Sequence, residues 1–177
     1  MRANEQEGGD ANTIQAVVPV MNMTRQKMLK QRQAAWLFHL VGLDAESMLF
    51  SDEVDLETLL LAKQLSILIV GEDMLKTNGE AVSGCTVLTD NYCEDAYDLL
   101  QTPILKKLLL AGVLLDTQNL SKVSMTRDVE AVQLLSVGST PNYRNTFFDQ
   151  LTQDAKDDSS LKALRQSYGN SPIESKW

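Results

Sequence analysis

Residues 102–121 read TPILKKLLLAGVLLDTQNLS, and the rest of the chain is best placed by reading this stretch first. Thr102 suits a helix N-cap, and Pro103 suits the first helical position, where a missing N–H leaves nothing unpaired. After Lys106 and Lys107, the run Leu108 to Leu115 carries no charge and is apolar on every side. A helix of that kind belongs in the middle of a fold. Asp116 follows at once, with Thr117, Gln118 and Asn119 behind it. A carboxylate at the exit of a buried helix must be solvated, hydrogen-bonded or bound to a cation, because an unpaired buried charge is costly. Two readings of Asp116 stay open at this point: a helix-ending residue in a polar turn, or a metal ligand.

The surrounding chain limits the choice. Its 177 residues suffice for one ordinary domain, and 44% hydrophobic with 23% charged residues is a globular balance. Sixteen Lys+Arg against 24 Asp+Glu leave a net charge of -8. That acidity argues against nucleic acid and anionic membrane as partners, since both call for a basic footprint. No apolar run approaches the ~18 residues of a membrane span, and MRANEQEGGDANT has no signal-peptide core, so a cytoplasmic protein is expected. Cys85 and Cys93 fall on one expected helix, ~12 Å apart along its axis, too far to bridge. The single histidine, His39, excludes a multi-histidine zinc site, and no GxSxG elbow supports a serine hydrolase.

Taken in order, residues 1–13 read as a disordered tail. Ile14–Met21 reads as a strand, with Pro19 placing it near an edge or end. An amphipathic helix is expected from Thr24 to Val41 with Gly42 as its stop, then a short strand at Leu49-Phe50. Leu56–Ala62 reads as helix, and Leu65–Val70 (LSILIV) as a parallel strand covered on both faces. In an open parallel sheet ligands sit beyond the strands' carboxyl ends, which makes Asp73 and Glu72, just after that strand, candidate ligand-contacting residues. A helix starts at Ser83-Gly84, whose free N–H groups suit a phosphate, or ordinary capping by Ser83. Helices are further expected over Thr126–Ser136, Tyr143–Ala155 and Leu161–Tyr168. Strands alternating with helices give an α/β fold: a small parallel sheet with covering helices over residues 14–140, followed by a short helical tail, 141–177.

Four blocks, VVPVMNM, LFSDEVDLETLLLAKQLSILIV, SGCTVLTD and LLLAGVLLDTQNLS, occur here in the order found in the prune-type exopolyphosphatases, and the chain from about Val17 to Asp149 resembles that family of the DHH phosphoesterase superfamily. The resemblance implies hydrolysis of short polyphosphate or pyrophosphate at a pair of Mn²⁺ or Mg²⁺ ions, which clamp the phosphate and activate a bridging water. It places Asp116 at a metal-ligand position by motif, Asp73 at another by location only, and Ser83-Gly84 near the phosphate side.

The chain also departs from the family's pattern. The early D-x-D pair should precede Val17, where MRANEQEGGDANTIQA holds none. Gly71-Glu72-Asp73 stands where Asp-His-His should follow LSILIV, and an Asp-His motif is missing between Glu80 and Ser83. The family's C-terminal domain would begin near Phe147, so residues 141–177 read as its helical remnant and residues 14–140 as an incomplete DHH-type domain. The expectation is therefore an inactive relative: a pseudoenzyme or protein-binding module, or a truncated gene product.

Overall fold

The structure, a computed structural model, describes residues 17–43, 47–63, 65–67, 82–121 and 126–153, together with Lys162 and Gln166. Its elements run β1 (Val20–Met21), α1 (Arg25–Lys30), α2 (Arg32–Leu40), β2 (Leu49–Phe50), α3 (Leu56–Leu61), α4 (Gly84–Tyr92), α5 (Tyr97–Leu100), α6 (Pro103–Asp116), α7 (Thr126–Leu135) and α8 (Tyr143–Gln153). Among the described residues the chain is mostly helical, with one two-stranded parallel sheet. In that loose sense it is α/β.

The apolar stretch quoted above forms the spine. α6 starts at Pro103, and it buries Leu109, Leu110, Ala111, Val113 and Leu114. Thr102 has the extended backbone of a cap, φ -62 and ψ 123, but its hydroxyl makes no capping bond. Helices α4, α5, α7 and α8 all pack on α6, so its apolar surface is covered from several directions at once. Each fully buried Leu or Val contributes about 1.5–3 kcal/mol of transfer free energy, which makes this helix the main source of cohesion. α8 adds Phe147 and Leu151 to the same core, with Tyr143 stacked on Phe147 at 5.5 Å between ring centroids. The segment after Gly138 thus shares the larger core through α8.

Gly112 shows how closely α4 approaches. A Cβ there would lie 2.2 Å from Cys85 Sγ and 3.2 Å from Cys85 Cβ. Only a glycine lets the first turn of α4 settle this near to α6.

A smaller core lies at the sheet, built from Met28, Ala35 and Phe50. Val20 pairs with Leu49 and Met21 with Phe50 in parallel register. A parallel connection needs a crossover, which α1 and α2 supply. Arg25, 4% exposed, binds this corner together. Its guanidinium donates to both carboxylate oxygens of Glu53 and to the Met48 carbonyl at 2.8 Å, and it lies 4.4 Å over the Phe50 ring. Glu53 also accepts from the Phe50 N–H at 3.2 Å, so the buried charge pair is well supplied with partners. Trp36 packs against both cores and joins them.

The structure narrows several expectations. The expected strand Ile14–Met21 is strand only at Val20–Met21 among the described residues; Pro19, next to it, has no N–H to donate. Leu65–Ile67 carries no strand, and Leu68–Val70 lies outside the described residues. The expected helix Thr24–Val41 is broken at Gln31, φ -83 and ψ 73. Lys30 to Gln33 are four polar residues in a row, which leaves a whole turn with no apolar side chain to pin it. The break lets α1 turn Met28 to the small core while α2 sends Leu37 to the large one. Gly42 takes φ +72 just after α2, as a helix stop should. The short α5 had no periodicity long enough to reveal it. The tail 1–13 and most of Leu161–Tyr168 lie outside the described residues.

Candidate functional site

The residues of interest meet where the end of α6 reaches the start of α4. Ser83 is the N-cap of α4: its hydroxyl oxygen accepts from the Cys85 N–H at 3.2 Å. The same hydroxyl donates to Asp116 Oδ2 at 2.6 Å, a short charge-assisted bond. The Ser83 N–H donates to Asp128 Oδ1 at 3.1 Å, and the Thr86 hydroxyl donates to that same oxygen at 2.7 Å. Two carboxylates from two different helices therefore converge on one helix start. Unpaired N–H groups and the positive end of the α4 dipole favour negative charge there.

The two acids differ in setting. Asp128 is 2% exposed, whereas Asp116 is largely open to solvent. Asp128 lies in the first turn of α7, beside Arg127, whose Nε donates to Asp90 Oδ2 at 2.8 Å. Arg127 and Asp128 thus fix α7 to both ends of α4. Cys85, packed against Gly112 of α6, has its thiol pushed up to about 11, first by burial and second by the Asp116 charge. Raising a thiol in this way disfavours the thiolate, so Cys85 is no nucleophile at neutral pH. His39 is exposed on α2. Cys85 and Cys93 are both free.

Of the residues singled out from sequence, Asp116, Ser83 and Gly84 are brought together here. Asp73 and Glu72 lie outside the described residues. Ser83 has both of its donors directed at carboxylates, in the manner of a cap, and Gly84 is exposed at the first position of the helix. The sequence reading missed Asp128 and Thr86. The signal for Asp128 was modest: an acid two residues after Thr126, in the first turn of an expected helix, where it reads as a dipole partner of its own helix.

Among the described residues, the donor set does not fit a pair of divalent ions. Among the described residues, no three His, Cys, Asp or Glu side chains gather into a group that could hold a metal. Asp116 and Asp128 have protein donors on their oxygens, and a hydroxyl and a thiol complete the surroundings. Mg²⁺ demands near-octahedral oxygen ligands, and a two-ion centre needs several bridging or terminal carboxylates or imidazoles. What this arrangement does chemically is hold a helix start in place.

Among the described residues, no helix is long and apolar enough to cross a membrane. In comparisons with known proteins, no family model matches the chain, and neither a curated protein nor a solved structure matches it.

Proposed function

We propose that the chain is a non-catalytic relative of the prune-type exopolyphosphatases, a DHH-type domain retained as a binding module. The observation that carries this reading is the fate of Asp116. The motif assigns it to a metal site, yet its carboxylate receives the Ser83 hydroxyl at 2.6 Å and has no metal-binding company among the described residues. A catalytic ligand set would need acids or imidazoles to converge, and here two acids cap a helix instead. The binding role is supported by α3, which has no buried residue and leaves Leu60 and Leu61 exposed. Free Cys85 and Cys93 agree with a reducing, cytoplasmic setting.

The test is phosphate release from pyrophosphate and tripolyphosphate with Mn²⁺ or Mg²⁺ added. No release above the metal-only background is expected. Mn²⁺-dependent release that disappears in Asp116→Ala would overturn the proposal and restore the hydrolase.

A further inference from the structure

α6 has a second end, and it lies roughly 20 Å from Asp116 by the rise of a fourteen-residue helix. There a groove of about 450 Å³ opens between the start of α6 and the connection from α7 to α8. Its apolar wall includes Pro103, Leu110, Leu135 and Val137. Lys106 and Lys107 also line it, and no Asp or Glu does among the described residues. Lys106 Nζ donates to Gln101 Oε1 at 2.9 Å and reaches the Val137 carbonyl at 3.5 Å, so both of these partners are neutral. No acidic residue occupies the first turn of α6 and Thr102 supplies no side-chain cap. The positive end of the helix dipole and two lysines therefore border one concave spot, on a chain whose net charge is -8.

We propose that this groove binds a small organic anion: an apolar body ending in a carboxylate or a phosphate. The volume falls within the range of small-molecule sites, and apolar walls with a few convergent polar groups are their usual lining. The apolar body would lie on Pro103, Val137 and Tyr143, over the buried Leu110 and Leu135, and the anionic head would face Lys106 and Lys107. Ser139 and Thr140 also line the groove. The site shares no residue with the Asp116 cluster, so it stands or falls apart from the reading above.

Titration of ¹⁵N-labelled protein with octanoate and with phenyl phosphate tests it, using inorganic phosphate and benzyl alcohol as controls that each carry half of the chemistry. Shifts centred on Lys106, Lys107 and residues 138–140 are expected for an organic anion, with each control binding at least about tenfold more weakly. A response to octanoate alone identifies the carboxylate source; one to phenyl phosphate alone identifies the phosphate. Lys106→Gln with Lys107→Gln should weaken binding at least about tenfold at an unchanged thermal midpoint, while the Arg pair keeps it within about threefold. Should the double variant unfold, Lys107→Gln alone carries the comparison. Controls that bind as well as the organic anions, shifts elsewhere on the protein, no shifts at all, or full binding by a folded Gln variant would each overturn the assignment.

Discussion

Asp116 and Asp128 meet the same helix start, and their exposure separates their worth. Truncating Asp128 leaves the Ser83 N–H and the Thr86 hydroxyl buried without an acceptor. A stranded buried donor costs about 1–3 kcal/mol, so Asp128→Ala should lose roughly 3 kcal/mol in urea unfolding. Asp116→Ala frees only the Ser83 hydroxyl, which water can reach through the exposed Asp116 position, and should lose about 1 kcal/mol. Equal losses would contradict the assignment of the buried acid as the principal clamp. Cys85 supplies a pH signature. Its thiol is at about 11 in the fold against 9.0 ordinarily, so between these values the unfolded chain releases a proton that the folded one keeps. Stability from this group is complete below pH 9 and is lost as pH rises to 11, an effect of roughly 2 kcal/mol. Cys85→Ala should flatten that decline, and Asp116→Asn should reduce it, since the Asp116 charge is the second cause. Neither consequence was legible in the sequence: Asp116 could be picked out by its place after an apolar run, but its partner Ser83 lies 33 residues away, and no spacing rule joins Ser83 to Asp128 across 45 residues.

Elements were more legible than contacts, for a physical reason. α6 announces itself by length, a leading proline and an unbroken apolar run, and α4, α7 and α8 by caps and periodicity. Among the described residues the sheet is smaller than expected, because short apolar runs such as Leu65–Ile67 have no period that separates strand from irregular chain. What the sequence concealed about α6 is the closeness of its neighbour. Gly112 reads as a helix-weakening residue worth about 1 kcal/mol against alanine. In the fold, an alanine there would press on Cys85 Sγ, and overpacking of this kind costs about 1–3 kcal/mol. Gly112→Ala should therefore fail to stabilise the protein in spite of its better helix propensity. Adding Cys85→Ala should recover more stability than the two single changes predict by addition. A fully additive pair would mean that α4 can step back freely from α6.

At the scale of the whole molecule, two cores share one chain: the large one around α6 and the small one at the β1–β2 corner, with Trp36 between them. The loose α/β character was readable from alternating segments, while the dominance of helix among the described residues was not, since there only two residues of each strand pair. Charge is distributed with the same disregard for local rules. α6 carries Lys106 and Lys107 toward its positive end and Asp116 at its negative end, the reverse of what its own dipole favours. The chain as a whole adds self-repulsion at -8. Both effects are weakened by mobile ions, because the Debye length shrinks from ~30 Å at 0.01 M to ~10 Å at 0.1 M ionic strength. The thermal midpoint should accordingly rise when sodium chloride is raised over that range, and a fall would show that attractive surface pairs such as Arg127–Asp90 outweigh the misplaced charges of α6. A helix set against its own dipole thus makes the background electrolyte itself a stabilising additive for this protein.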